Sequence, residues 1–343
     1  MDMGWIILII IAIILIPAIS TLSQVWVGHI PKKYNYNPEL PAPNTIMAWT
    51  NMNCPMVQKG MLNTISERKE EVANVQTPEG FALSRENVAV DGGQIELFCL
   101  EPNELKGQKD VPVVFYIHGG AFYFPLTVGD IDSMKYYAKE LGAKVFMPDY
   151  RTSLEHPFPT PLLDCYAAIN YIAEKADEFG IDMSKLIIYG NSAGGALVAG
   201  LAQYIRDFGG PVAKAQVLVF PVMDNSMNYK SVQEYEDAPW SKSSNEHMWS
   251  VYLAKGDNGM LKYAAPMQSD DFTNLPPAYI EPSEMDILRD EALAYAKKLK
   301  ECNIEVSTYV VPGGYHGFDA DQTNPLVHQI IDKRIAFMKN MIK

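Results

Sequence analysis

The chain has 343 residues, 48% of them hydrophobic and 20% charged, with 28 Lys+Arg against 41 Asp+Glu for a formal charge of −13. That length can bury a large core and is common for one α/β domain, while the acidic balance disfavours nucleic acid as a partner. Four scattered cysteines, Cys54, Cys99, Cys165 and Cys302, show no metal spacing, and neither a phosphate-cradling loop nor a dinucleotide fingerprint is present, so no disulfide, metal or cofactor is expected.

The first 30 residues carry a message of their own. Met3 to Gly28 holds no charge, and Trp5 to Ile19 is almost all isoleucine and leucine. Trp5 and Trp26 stand 21 residues apart, roughly 32 Å of helix, close to the hydrocarbon thickness of a bilayer, and tryptophans suit both interfaces. Residues 1–30 are therefore expected to form a transmembrane anchor. Lys32 and Lys33 on its C-terminal side place the rest of the chain in the cytoplasm by the positive-inside rule. The alternative is a secretory signal cleaved near Ala18-Ile19-Ser20, with the remainder secreted; it wants a basic leader, and only Asp2 and the amino terminus precede the apolar run. No N-x-[ST] sequon occurs.

Residues 36–84 read as an N-terminal cap and linker region, in which Met47, Trp49, Met52, Met56 and Met61 of 36–75 add soft apolar surface to a cap over the site. From there strand and helix signals alternate, which argues a mostly parallel sheet covered on both faces. Val111 to Ile117 (VPVVFYI) is a central strand buried on both faces. Two glycines follow at once in His118-Gly119-Gly120-Ala121-Phe122, where the backbone can approach a ligand and aim N–H groups at a developing oxyanion; the bland alternative is an ordinary tight turn. Helices are expected over about 131–141, 161–176, 193–207, 289–302 and 325–341, and further strands at Lys144–Met147 and Gln216–Phe220.

Lys185 to Tyr189 (KLIIY) is a strand, and Gly190-Asn191-Ser192-Ala193-Gly194 then reads G-x-S-x-G before an Ala- and Leu-rich helix. Strand, sharp turn and helix are the setting of a nucleophile elbow, which exposes a serine at the end of a sheet. The motif alone arises by chance in roughly one chain in ten of this size; the context separates it from chance. Residues 225–265, with Trp240, Trp249 and Tyr252, break the alternation and read as a cap insertion over the site. Ala278 to Glu281 is a strand, followed by a loop holding Asp286, with Glu284 as the rival carboxylate; Asp290 and Glu291 read as acids in the first turn of the next helix. Ser307 to Val311 is a strand, after which His316 sits in a glycine-rich loop. The order Ser192…Asp286…His316 is that of α/β-hydrolases.

Five segments carry a specific resemblance: His118 to Phe122, Tyr150 to Pro159 (YRTSLEHPFP), Gly190 to Gly195, Asp286 to Glu291 and His316-Gly317-Phe318. In this order the chain resembles the hormone-sensitive-lipase-like family of α/β-hydrolases, from about residue 85 to 343. The resemblance implies an α/β-hydrolase domain over 85–343 and a serine carboxylesterase or lipase-like hydrolase, acting on short to medium acyl esters through an acyl-enzyme. It implies Ser192 as nucleophile, Asp286 as acid, His316 as base, and Gly119, Gly120 and Ala193 as oxyanion donors. Phe122, Phe124 and Asn191 are its substrate-binding positions.

Three residues depart from the family pattern: Leu154 stands for the proline before Glu-His, Pro125 for a glycine, and Asn191 for the commoner aspartate. The Phe124-Pro125 change bears on acyl size. The same triad can serve an amidase, deacetylase or peptidase. A small-molecule receptor, as in the plant gibberellin receptors that resemble this family, lacks the histidine that His316 supplies here.

Overall fold

In a computed structural model, Gln24, Val25 and residues 28–343 are described. Eight strands form one sheet in the order β1-β2-β4-β3-β5-β6-β7-β8. They span Phe81–Val90 (β1), Gly93–Pro102 (β2), Val111–Ile117 (β3), Lys144–Pro148 (β4), Ile181–Asn191 (β5), Ala215–Val219 (β6), Ala278–Glu281 (β7) and Val306–Thr308 (β8). β1 and β2 are antiparallel, β2 is antiparallel to β4, and every pairing from β4 to β8 is parallel. The longer helices are Pro55–Ala73 (α1), Val128–Leu141 (α2), Thr160–Glu174 (α3), Ala193–Phe208 (α4), Lys242–Tyr252 (α5), Arg289–Glu301 (α6) and Pro325–Met341 (α7).

Alternation along the central strands divides the core in two. Val113, Phe115 and Ile117 of β3 face a cluster that contains Leu162 and Ile169 of α3, Leu197 and Leu201 of α4, and Ala292 and Tyr295 of α6. Val114 and Tyr116 face the opposite cluster, with Ile131 and Met134 of α2 and Ile330 and Ile331 of α7. Since successive strand residues point to opposite faces, apolar runs buried on both sides are what a sheet with two helical layers requires. The parallel strands present their carboxyl ends on one edge, where open α/β sheets bind ligands.

The expected strands and helices are present with their ends moved by a few residues, and β8 is shorter than the Ser307–Val311 run. Val311 instead bridges Ser283 alone. The boundary expected at 84/85 falls inside β1, because the β1–β2 hairpin completes the antiparallel edge of the sheet. The hairpin turns at Asp91-Gly92, where Gly92 has φ +74°. Residues 225–265 contain short helices, Lys230–Glu234 and Leu261–Ala264, beside α5. The anchor expected over residues 1–30 lies outside the described residues, apart from Gln24, Val25 and 28–30; among the described residues no helix is long and apolar enough to cross a membrane.

Candidate active site

Ser192 sits between β5 and α4 with φ 55° and ψ −123°. A non-glycine residue held there costs on the order of 1–3 kcal/mol, so its surroundings must enforce it. They do: Ser192 N–H donates to Val219 at 2.9 Å, while its carbonyl accepts from Gly195 at 3.0 Å and Val222 at 3.1 Å. The flanking glycines have a steric cause. A Cβ on Gly190 would lie 2.3 Å from the Gly194 carbonyl oxygen, and one on Gly194 would lie 2.1 Å from that of Ile117.

Asp286 and His316 arrive on two loops after β7 and β8, and hydrogen bonds zip these loops together. Val311 N–H donates to Pro282, Glu284 N–H to Val311, and Met285 N–H to Gly314 at 2.8 Å. Ser283 Oγ donates to the Tyr315 carbonyl at 3.1 Å. The rival carboxylate belongs to this zipper: Glu284 Oε2 accepts from Gly313 N–H at 2.6 Å.

The three sequence-derived residues meet. Ser192 Oγ lies 2.8 Å from His316 Nε2, and His316 Nδ1 lies 2.7 Å from Asp286 Oδ2. Asp286 is fully buried, and its second oxygen accepts from Leu288 N–H at 3.0 Å. An ionised carboxylate only accepts, so the Nδ1 proton must point at Asp286 and leave Nε2 free to accept from the serine. Phe220 meets the imidazole edge-on at 4.8 Å, and Trp240 lies over it at 5.7 Å.

Beyond β3 the chain turns through Gly120, Ala121 and Phe122, all at positive φ. A Cβ on Gly119 would stand 2.9 Å from the Asn191 carbonyl oxygen and 3.3 Å from Ser192 Cβ, so glycine lets the two backbones close. The Tyr150–Pro159 segment props this loop from behind. Tyr150 stacks on His118 at 4.2 Å and donates to its carbonyl, and Ser153 donates to the Phe122 carbonyl through both N–H and Oγ. That segment is itself pinned by Arg151, whose guanidinium grips the buried Asp164 at 2.7 and 2.9 Å.

A cavity of about 460 Å³ opens on Ser192. Gly119, Gly120, Phe124, Asn191 and His316 line it. Phe122 does not: it is fully buried and stacks on Tyr252 of α5 at 3.7 Å. Its positive φ turns the ring away from the cavity, so Phe122 anchors the loop to the cap side instead of touching a ligand there. Trp240 also lines the cavity, along with four residues that sequence reasoning missed: Arg68, Tyr116, Asp130 and Asp319. Arg68 comes from α1, whose sequence signal is Pro55 at its start, and its guanidinium lies 4.7 Å over the Phe124 ring.

Tyr116 Oη lies 2.8 Å from Asp130 and 3.2 Å from Asn191. Burial and the adjacent Asp130 push this phenol well above its ordinary pKa, so it keeps its proton. An aspartate at 191 would set two carboxylates against one proton; Asn191 avoids that like-charge pair.

Asp290 and Glu291 are more than helix-end acids. Asp290 accepts from Ser231 N–H at 2.9 Å, and the fully buried Glu291 accepts from Met223 N–H at 2.7 Å. Burial raises the Glu291 carboxyl well above its usual range.

A model of the α/β-hydrolase fold, the group resembling hormone-sensitive lipase, matches residues 114–320. The chain belongs to this family. A putative α/β hydrolase of Acanthamoeba polyphaga mimivirus is 31% identical over 274 residues, 77% of each chain. The esterase LipI of Mycobacterium tuberculosis is 32% identical over 241 residues, 68% of this chain and 74% of its own. Among solved structures, a bacterial heroin esterase superposes with TM-score 0.74 at 27% identity, covering 90% of this chain and 98% of that one. A thermostable carboxylesterase cloned from a metagenomic library gives TM-score 0.73 at 28% identity, over 83% and 97%. Family, relatives and structures together make this α/β-hydrolase a carboxylic ester hydrolase.

Proposed function

We propose that this hydrolase cleaves carboxylic esters of short to medium acyl chains in two steps through an acyl-enzyme on Ser192. His316 Nε2 takes the Ser192 proton as Oγ attacks the ester carbonyl, then gives it to the departing alkoxide. Water repeats the sequence and frees the acid. Asp286 holds the imidazole in the useful tautomer and stabilises the imidazolium. The N–H groups of Gly119, Gly120 and Ala193 hold the oxyanion, each worth about 2.7–4 kcal/mol of barrier, and the N-terminal end of α4 favours the same charge. The carrying observation is the relay from Ser192 Oγ to His316 at 2.8 Å and on to buried Asp286 at 2.7 Å.

Acyl size is read from the cavity. Its 460 Å³ is walled in part by Tyr116, Asp130, Asn191 and Asp319, beside Phe124, Phe220 and Trp240. A cavity of this size, with aromatic walls broken by these polar groups, suits a short to medium acyl group better than a long alkyl chain. Residues 225–265 act as the cap, with Trp240 at the cavity wall. The uncharged run Met3 to Gly28 supports attachment to a membrane, with the hydrolase domain cytoplasmic.

The test is turnover of p-nitrophenyl acetate, butyrate, octanoate and palmitate, with Ser192→Ala and fluorophosphonate labelling alongside. Acetate and butyrate should turn over fastest, and both turnover and labelling should vanish in the variant. Folded wild-type protein that neither turns over nor labels would sink the assignment.

A further inference from the structure

Arg334 of α7 is fully buried, an expensive place for a guanidinium unless every donor is met. It grips the buried Glu281 through Nε at 3.0 Å and Nη2 at 2.5 Å. Its other arm, Nη1, donates to Asp319 at 2.7 Å and Tyr137 at 3.1 Å. Tyr279 Oη donates to Glu281 at 2.8 Å, completing that carboxylate. The placement of the two acids matters more than the pairing itself. Glu281 ends β7, five residues before Asp286, and Asp319 lies three residues after His316 in the short turn Phe318–Ala320. Phe318 packs buried beneath the same guanidinium at 5.9 Å.

The loop hydrogen bonds described above fix the chain on the N-terminal side of His316. On its other side stands Gly317 at φ +76°, a residue with little conformational restraint of its own. Among the described residues, Asp319 makes one side-chain bond to the protein, the one to Arg334. A single buried cation thus spans the base of the Asp286 loop and the far side of the His316 loop.

We infer that Arg334 and Asp319 are positioning residues for His316, clamping its loop so that Nε2 stays in reach of Ser192 while Nδ1 stays on Asp286. This rests on the proposed roles of Ser192, His316 and Asp286. The turn after His316 is otherwise held by Phe318, which is buried and donates its N–H to the Tyr315 carbonyl at 3.2 Å, and a misplacement of about 1 Å in such a site can cost on the order of 100-fold in rate.

The experiment compares Asp319→Ala, Arg334→Lys and Arg334→Ala in the full chain, with kcat per site counted by fluorophosphonate titration. Lys144→Ala serves as the control; it removes a nearly buried ion pair with Glu101 at the start of β4, at the opposite end of the strands. Asp319→Ala and Arg334→Ala should both label to the wild-type end point but more slowly, with kcat per site down about 30- to 100-fold, and with KM within about twofold in Arg334→Ala, since Arg334, unlike Asp319, does not line the cavity. Lys144→Ala should lose melting temperature with kcat per site unchanged. Arg334→Lys should recover part of the rate lost in Arg334→Ala. If Arg334→Ala fails to fold, Asp319→Ala alone decides. A kcat per site within threefold of wild type in Asp319→Ala overturns the inference. Wild-type protein that takes up no label overturns the underlying reading of Ser192, and the inference with it.

Discussion

Asp286→Asn is the sharpest test of the relay, because the structure dictates which way the new amide must face. One carboxylate oxygen of Asp286 accepts from Leu288 N–H at 3.0 Å, and the other takes the His316 Nδ1 proton at 2.7 Å. The side chain is fully buried, so no water can stand in for either partner. In the asparagine variant the amide oxygen stays on the Leu288 N–H, since the NH₂ group cannot accept there. The NH₂ then faces Nδ1, which must give up its proton and accept. The imidazole proton moves to Nε2, and His316 meets Ser192 as a donor with no basic lone pair. The same exchange in a serine-protease triad costs about 10⁴-fold in kcat, or about 5 kcal/mol of barrier. The variant is isosteric and should fold, as circular dichroism can check. We expect kcat on p-nitrophenyl butyrate, normalised to folded protein, to fall about 10⁴-fold with KM little changed. A fall of less than tenfold in a folded variant would refute the tautomer argument and return Glu284 as the candidate acid.

Glu284→Ala should do the opposite. It loses the bond from Gly313 N–H at 2.6 Å and about 1–2 kcal/mol of stability, discounted for partial exposure, while kcat falls far less than in Asp286→Asn; equal losses would remove the distinction between the two acids. Glu291→Gln tests a buried carboxyl. Burial raises its folded pKa, so between about pH 4.5 and that higher value the native state binds more protons than the unfolded one. Stability from this group is therefore present at low pH and lost as pH rises. Glutamine keeps an acceptor for Met223 N–H without the charge, so the variant should melt at or above wild type at pH 8, with the gap shrinking toward pH 4. A gap that widens on acidification would contradict the sign. For the N-terminal run, the full chain should stay in the membrane pellet after alkaline carbonate extraction, and a chain starting at residue 31 should be released; full-length protein wholly extracted by carbonate would remove the anchor.

What the sequence determined by itself is local. Gly190 and Gly194 flank Ser192 because any side chain there would overlap backbone a few residues or one strand away, and the run VPVVFYI announces a doubly buried strand through its composition. The order of Ser192, Asp286 and His316 follows from the order of the strands, which the chain writes linearly. Asp91-Gly92 is a local turn signal, but the polar stretch Arg85-Glu86-Asn87 masks the strand before it, so the boundary read at 84/85 cuts through β1 and misses the hairpin. The tertiary structure decided everything that depends on direction and on distant partners. It decided that Asp286 reaches His316 while Glu284 turns to Gly313, because two loops pair and only one register satisfies their backbone groups. It turned Phe122 into the cap-side core, since a positive φ reverses a side chain that composition alone places beside its neighbour Phe124. It brought Arg68 to the cavity from 124 positions before Ser192, and Arg334 beneath the His316 loop from helix α7. Such contacts leave no periodic trace in the chain, because burial of a charge depends on which carboxylates the fold brings to it.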